Sequence, residues 1–444
     1  QTQASFDLSD GPLYRAVLYR LEDGDRLLIV IHHLLCDGIT WRILLEDLES
    51  GYRQSSKSLP IELAERTASY RQWAQGLQRF GESAQIRQHI DFWAAMDDMS
   101  PVEIPLDSDS TGVDNVYSQT ETAEVSLSEE ETHAFLSQPQ RVYRAEADVV
   151  LLAALGKALQ SWHGGDATRI LLESHGREPI EDQDLARTVG WFTSMYPFVL
   201  RADEADPRQA IRTTKEDLHR VPQHGISYGV ARYLTSSPLA PPRHPPRLIF
   251  NYLGQFDDSS GSDRGQAVFS FAQESSGQLF GARFKRQAYL EFTGIVAAGC
   301  LRLSLTYHPQ LHREATATSL LESFRQELVE LLDHCTTATS AEKTPADLNS
   351  CPLSLADYDG LLSASSWEPQ DIDDMYPLAP MQAGLLYQRL LDPESSAYFI
   401  QMSFTLRGAL DLRDFQAAWC DVVERHPILR TAFVEEDLPQ PIQV

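Results

Sequence analysis

Two adjacent imidazoles and a nearby carboxylate form the first group of residues that could do chemistry. His32 and His33 are followed by three other residues and then by Asp37 and Gly38. An imidazole changes charge near neutral pH, so it can accept or deliver a proton. Neighbouring side chains of a strand point to opposite faces, so one imidazole is expected to face a cleft while the other supports the backbone. The residues alone are equally compatible with a histidine pair inside the core or with a metal site.

A second group follows an apolar run directly. After residues 169–172 come Glu173, His175, Arg177 and Glu178. A carboxylate beside an apolar wall has its pKa raised, which suits it for proton transfer. A solvated loop would carry the same charges without any such role. Glu173, which adjoins the apolar residues, is therefore the candidate acid/base.

Two further segments carry polar groups next to apolar ones. Asn251 and Tyr252 follow Phe250, and their N–H and O–H groups could donate to a developing enolate oxygen. Tyr196 belongs to the aromatic segment 187–197. In that segment the large aromatics are expected mainly to pack in a core.

The elements that position these groups can be predicted from the pattern of apolar residues. Residues 27–31 are typical of a buried strand, paired in a hairpin with residues 16–21, and a helix is expected from Thr40. Its core-facing side is predicted to hold Trp41, Leu44, Leu45, Leu48 and Tyr52. Residues 148–159 are apolar nearly all round and predict a buried helix.

Composition bounds the kind of protein and its partners. With 444 residues the chain can hold more than one domain, and its 42% hydrophobic and 23% charged fractions are ordinary for a globular protein. The net charge of −27 argues against nucleic acid and against an anionic membrane surface as partners. The five cysteines are far apart and form no zinc-type cluster, which favours thiols in a reducing cytoplasm. No apolar stretch approaches the length of a membrane span, and no signal peptide begins the chain.

The first motif resembles a known family signature. His-His-x-x-x-Asp-Gly at residues 32–38 is similar to the motif of the condensation-domain superfamily of nonribosomal peptide synthetases, which is related to chloramphenicol acetyltransferase. Residues 37–48 look like one branch of it, the epimerization domains. Glu173 to Glu178 resembles that branch's Glu-Gly-His-Gly-Arg-Glu motif, with Ser174 in place of the first glycine. The segments 187–197, 224–229 and 250–257 resemble further motifs of the same branch, in the same order.

The resemblance implies a fold and roles for the residues. The expected fold is α/β (α+β two-layer), a chloramphenicol acetyltransferase-like two-lobed fold with the active-site tunnel between the lobes. His33 is expected to point into that tunnel with His32 supporting it, Asp37 to hold the loop through an ion pair, and Gly38 to permit a tight turn. The supporting or oxyanion residues are expected to be Asn251, Tyr252 and Tyr196.

The reaction implied is inversion of the α-carbon of an aminoacyl or peptidyl thioester. Glu173 is expected to be the principal acid/base, with His33 as its counterpart or as the group that stabilises the enolate. No metal or bound cofactor is implied, because the substrate arrives on the 4'-phosphopantetheine arm of an upstream carrier protein. The adenylation and condensation domains of the same synthetase are the other expected partners. A condensation-type acyltransferase, or a docking fragment without activity, remains open as an alternative.

The same resemblance divides the chain into four parts. Residues 1–115 are expected to be the remainder of an N-terminally truncated first lobe and residues 116–335 the second lobe. Residues 336–370 have a linker composition with one short helix near residues 356–362, and are expected to be a partly docked linker. Residues 371–444 resemble the beginning of a condensation domain, because residues 375–387 and 425–433 are similar to its first two motifs. No second His-His-x-x-x-Asp-Gly follows within the chain.

Overall fold

The computed structural model describes residues 5–99, 101–202, 206–255, 269, 272, 274, 277, 280–348, 351–392 and 398–444. They divide into two compact units. The first comprises the residues up to Gln140 together with Ala145–Thr337, and the second comprises Arg141–Arg144 with Ala338–Val444. Among the described residues, no helix combines the length and the apolar character that crossing a membrane requires.

The first unit begins with a hairpin and three helices. Their bounds are β1 Tyr14–Leu21, β2 Gly24–Ile31, α1 Gly38–Ser56, α2 Tyr70–Glu82 and α3 Gln85–Asp98. The predicted hairpin is present, and its turn consists of Glu22 and Asp23, because Leu21 pairs directly with Gly24.

The remainder of the first unit is built on a larger sheet. Its elements are β3 Glu121–Ser126, α4 Glu129–Tyr143, α5 Ala147–His163, β4 Ala167–Ser174, β5 Ser194–Arg201, α6 Pro207–His219, α7 Ile226–Tyr233, β6 Leu248–Gln255, β7 Leu290–Ala297, β8 Cys300–Tyr307 and α8 Glu314–Thr337. The strand order is β3-β8-β7-β6-β4-β5, with β6 parallel to both of its neighbours and the other pairs antiparallel. This mixed α/β arrangement agrees with the expected fold class.

Side chains alternate between the two faces of the sheet along each strand, and the centre of one face is uniformly apolar. Leu172, Phe250, Phe292 and Leu305 are neighbours in register and are all buried. The predicted buried helix, α5, contacts α8, and the two helices contact strands of the sheet. On the opposite face the strands carry half-buried polar side chains, and the candidate acid/base is one of them.

One prediction about α1 is wrong. Leu48 and Tyr52, expected in the core, are 39% and 56% exposed. The buried line of the helix is instead Thr40, Ile43 and Gly51. The Thr40 hydroxyl donates to the carbonyl of Gly190 at 2.8 Å, so the buried side of the helix also makes a long-range hydrogen bond.

The second unit has its own small core. Its elements are α9 Leu355–Ala364, β9 Tyr376–Pro377, α10 Pro380–Leu391, α11 Leu412–Arg425, β10 Phe433–Val434 and β11 Ile442–Gln443. Tyr358 and Leu361 of α9 pack with Ile372, Met375 and Ile442. The segment expected to be a linker therefore supplies part of this core, because α9 starts at a capping box on Ser354 and carries apolar residues at helical spacing.

Candidate active site

Asp37 ties the turn before α1 to the segment that carries Arg177. It is the N-cap of α1, and its Oδ1 accepts a hydrogen bond from the Thr40 backbone N–H at 2.7 Å. Arg177 Nη2 donates to Oδ1 and Oδ2 at 2.9 and 3.1 Å, and the backbone N–H of Phe192 donates to Oδ2 at 3.2 Å. The Asp37 and Arg177 side chains are 4% and 6% exposed. The ion pair expected of Asp37 is thus present, with Arg177 as its partner.

Gly38 is the first residue of α1 and is not among the residues with positive φ, so the turn does not use the glycine-specific conformation expected there. The chain enters the helix through Asp37, the N-cap residue, whose backbone is extended with φ −122°. A positive φ is instead found at Gly176, where φ is +63° and an added Cβ would lie 1.8 Å from the carbonyl oxygen of Phe192.

His33 follows β2 in a single 3-10 turn and is exposed. Its Nδ1 lies 2.8 Å from the carbonyl oxygen of Cys36. A carbonyl can only accept, so Nδ1 carries the proton and the neutral ring presents its lone pair on Nε2. The ring centroid lies 5.2 Å from that of Trp191. His32 supports the turn, because its Nδ1 accepts from the Leu34 backbone N–H at 3.2 Å.

Glu173 is half-buried near the end of β4. Its Oε2 accepts a hydrogen bond from Asn251 Nδ2 at 2.5 Å. Burial raises the pKa of the Glu173 carboxyl, and the nearby Glu291 carboxylate raises that pKa further. A positive charge at His33 and the hydrogen bond from Asn251 act in the opposite direction without cancelling the rise. The structure therefore brings Glu173, Asn251 and His33 into one electrostatic environment.

Neither Tyr252 nor Tyr196 lies on the face of the sheet that carries Glu173 and Asn251. The expectation that Tyr252 donates beside Asn251 is therefore wrong. Tyr252 follows Asn251 on the strand and faces the opposite side, where its ring centroid is 6.0 Å from that of Phe135. Tyr196 pairs in register with Leu172 and is buried. Burial raises the pKa of Tyr252 to about 12, so its hydroxyl stays protonated at neutral pH.

Ser174, the departure from the family motif, makes contacts that a glycine would lack. Its hydroxyl lies 2.7 Å from that of Ser194 and donates to the carbonyl of His224 at 3.1 Å. His224 has φ 43° and ψ 38°, an unusual conformation for a residue other than glycine. These bonds connect the end of β4 with the turn that precedes α7.

His224 also pairs with the last carboxylate of the motif. Its Nδ1 lies 2.9 Å from Glu178 Oε1. The hydrogen bond to Glu178 raises the pKa of His224, followed by burial, which lowers it, and by the charge of Glu178, which raises it. By sequence, residues 224–229 resemble a motif of the epimerization branch, and the sequence indicates no role for the histidine. Residues Phe256 and Asp257, the last two of the segment 250–257, lie outside the described part of the chain.

A second carboxylate lies on the same face of the sheet as Glu173 and was not identified from the sequence. Glu291 on β7 accepts from Arg286 Nε at 2.9 Å and from the Tyr117 hydroxyl at 3.2 Å. The signal was present, because Glu291 stands between the buried residues Leu290 and Phe292 as the polar member of an alternating strand.

Known proteins are similar to this chain in sequence. The family model described as "Condensation domain" matches residues 1–351 and 372–444. A linear gramicidin synthase of Brevibacillus parabrevis is 38% identical over 453 aligned residues, which cover 100% of this chain and 6% of that protein. Bacitracin synthase 3 of Bacillus licheniformis is 35% identical over 447 aligned residues, with 100% and 7% covered. The chain thus spans a small part of the curated relatives it matches.

Among solved structures, the epimerization domain from the third module of tyrocidine synthetase B is 36% identical with a TM-score of 0.70, and 76% of each chain is covered. The condensation domain of the monacolin K polyketide synthase has a TM-score of 0.55 at 15% identity, with 74% of each chain covered. The second likeness concerns the fold alone.

Proposed function

We propose that this chain, which belongs to the condensation-domain family, inverts the α-carbon of an aminoacyl or peptidyl thioester from the L to the D configuration. The substrate would be carried on the phosphopantetheine arm of a peptidyl carrier protein during nonribosomal peptide synthesis. Its working partners would then be that carrier and the adenylation and condensation domains that load and use it. The 36% identity to an epimerization domain supports this choice within the family.

The observation that carries the proposal is the setting of Glu173. A half-buried carboxylate with a raised pKa accepts from Asn251 at 2.5 Å and lies within electrostatic range of His33. A general base works best when its pKa approaches the pH at which it operates. A condensation-type acyltransferase would need His33 but has no use for such a carboxylate.

The chemistry requires two proton-transfer groups and a donor for oxygen. The α-hydrogen of a thioester is acidic because the resulting enolate spreads its charge onto the thioester oxygen. One group removes the proton, the C–H electron pair enters the enolate, and a proton is returned to carbon on the opposite face. Glu173 is the principal acid/base in this proposal, and it removes the α-proton. His33 is its counterpart or stabilises the enolate: in the cationic ring Nε2 carries a proton that is returned to carbon or shared with the enolate oxygen, and the ring is then left neutral with its lone pair on Nε2. Asn251 holds the Glu173 carboxylate in place.

Stereochemical analysis of the product tests the proposal. The chain is mixed with carrier protein bearing L-phenylalanyl or N-acetyl-L-phenylalanyl thioester, the thioester is cleaved, and the isomers are separated on a chiral column. Growth of the D-isomer toward an equilibrium mixture is expected, with loss in Glu173→Gln and a large decrease in His33→Ala. Peptide formation with a second loaded carrier, without any D-isomer, would instead establish the acyltransferase.

A further inference from the structure

Glu291 lies on the same face of the sheet as Glu173. Leu171 is paired in register with Ile249, and Ile249 with Glu291. Residues paired in register share a face, and alternation places Glu173 and Asn251 on the face of Leu171 and Ile249. This face therefore carries two carboxylates, one on β4 and one on β7, with Asn251 on the strand between them.

The Glu291 carboxylate is held in a fixed position. Arg286 Nε donates to its Oε1 at 2.9 Å, and the Tyr117 hydroxyl donates to its Oε2 at 3.2 Å. The Arg286 side chain is 0% exposed, and its Nη2 donates to the carbonyl of Thr306 at 2.9 Å. Tyr117 is fixed in turn by its ring, which stacks on Phe280 at 4.1 Å between centroids. The negative charge of Glu291 thus occupies a defined place on the wall.

Few charged groups act on Glu173 within the described part of the chain. Glu291 faces it from β7 and His33 faces it from the turn before α1. The Tyr117 hydroxyl is also close, and burial followed by the charge of Glu291 raises its pKa to about 12, so it remains neutral. Glu291 is accordingly the charged group that opposes ionisation of Glu173, and His33 favours that ionisation only in its cationic form.

We propose that Glu291 is a positioning residue for the chemistry of Glu173: its fixed charge favours transfer of the substrate's α-proton to the Glu173 carboxylate. This inference rests on the proposed function. In the step considered, the α C–H bond breaks, its electron pair enters the enolate, and an O–H bond forms on Glu173. The negative charge moves from the Glu173 carboxylate to the enolate and its thioester oxygen, so the repulsion between Glu173 and Glu291 is relieved.

The variant Glu291→Gln tests this directly. It removes one negative charge and leaves Arg286 unneutralised, and both changes lower the pKa of Glu173. The acid limb of the exchange rate against pH is expected to move to lower pH. The rate at pH 7 is expected to fall about tenfold, less than the roughly 10²–10⁴-fold expected from removing an acid/base group. Glu291→Asp, which keeps the charge, should leave the acid limb near its original position.

A measurement without turnover separates this inference from the proposed function. Carbon-13-labelled glutamate carboxyl groups are titrated by NMR, with Glu173 assigned from its missing signal in Glu173→Gln. A lower Glu173 pKa in Glu291→Gln than in the unmodified chain and Glu291→Asp supports the inference even if no substrate is turned over. An unchanged Glu173 pKa in a Glu291→Gln chain that is folded under the conditions of the titration would overturn it. Absence of exchange in the unmodified chain would count only against the proposed function.

Discussion

Two carboxylates of the first compact unit have opposite surroundings. Asp37 is neutralised by Arg177, whereas Glu173 lies on the same face of the sheet as another carboxylate. Both Asp37 carboxylate oxygens accept from Arg177 and from the backbone, in a site that excludes water. Glu173 instead shares its wall with a second carboxylate, Glu291, and its pKa is raised. A fully neutralised charge fixes the backbone, whereas an incompletely neutralised one is suited to exchanging protons. The comparison predicts that the first site determines stability and the second determines chemistry.

The largest effect on stability is expected at Asp37. Asp37→Ala leaves the buried Arg177 guanidinium without its carboxylate, and removal of one partner of a buried ion pair costs about 3–5 kcal/mol. Urea unfolding followed by tryptophan fluorescence measures the loss. The double variant Asp37→Leu with Arg177→Met is the control and should recover much of it. If the free energy of unfolding of the single variant falls by less than about 1 kcal/mol, Asp37 does not determine stability as the comparison predicts.

A smaller loss is expected at Gly176. Gly176→Ala must adopt φ near +63° and must also clear the carbonyl oxygen of Phe192, which lies 1.8 Å from the new Cβ. Gly164→Ala is the matched control, because φ is +75° there and no atom lies within 4 Å of the added carbon. The control should lose about 1–2 kcal/mol from the left-handed conformation alone, and Gly176→Ala should lose more. Equal losses in urea unfolding would show that the clash is relieved without cost.

Replacing Glu173 should change the free energy of unfolding in the opposite direction. A carboxyl whose pKa is raised by folding binds protons more readily in the folded state, so its ionisation lowers stability as pH rises through that pKa. Glu173→Gln is therefore expected to stabilise the chain at pH 7, by about 0.5–2 kcal/mol as is common for active-site replacements. The gain should disappear below the ordinary glutamate pKa. Thermal unfolding at both pH values measures it, and destabilisation at pH 7 would contradict the assignment.

The smallest effect is expected at Ser174. Ser174→Ala keeps the Cβ and removes the hydroxyl that contacts Ser194 and His224. A net loss of about 0.5–1.5 kcal/mol follows from the missing hydrogen bonds. Ser194→Ala removes the same contact from the other side, and adding it to Ser174→Ala should change little further. Strict additivity of the two losses would show that the hydroxyls act independently.

The positions of the two candidate groups relative to the strands could be predicted because each group follows an apolar run. His33 comes directly after β2, and Glu173 lies near the end of β4, as the patterns predicted. Alternation along β6 was sufficient to show that Asn251 and Tyr252 face opposite sides, although both were expected to serve the same oxygen. Glu291 could not be assigned to the site from the sequence, because its proximity to Glu173 depends on the parallel pairing of β4, β6 and β7.

Exposed α1 residues illustrate another limit. Leu48 and Tyr52 fit the apolar spacing of a core-facing stripe, yet the hydrogen bond of Thr40 to Gly190 selects a different side of the helix. That contact joins residues 150 positions apart in sequence. Spacing along one helix therefore predicts that an apolar face exists, but which side is buried depends on contacts with residues far away in the sequence.

Solvent deuterium uptake at the α-carbon of a carrier-bound aminoacyl thioester tests the central claim most directly. Mass spectrometry would follow the unmodified chain, Glu173→Gln, and Glu124→Gln, an exposed carboxylate on the same sheet. We expect uptake in the unmodified chain and in Glu124→Gln, and a loss of roughly 10²–10⁴-fold in Glu173→Gln. Uptake that persists at the full rate in a folded Glu173→Gln would contradict the role of this carboxylate. No uptake in the unmodified chain, together with peptide bond formation, would contradict epimerization itself.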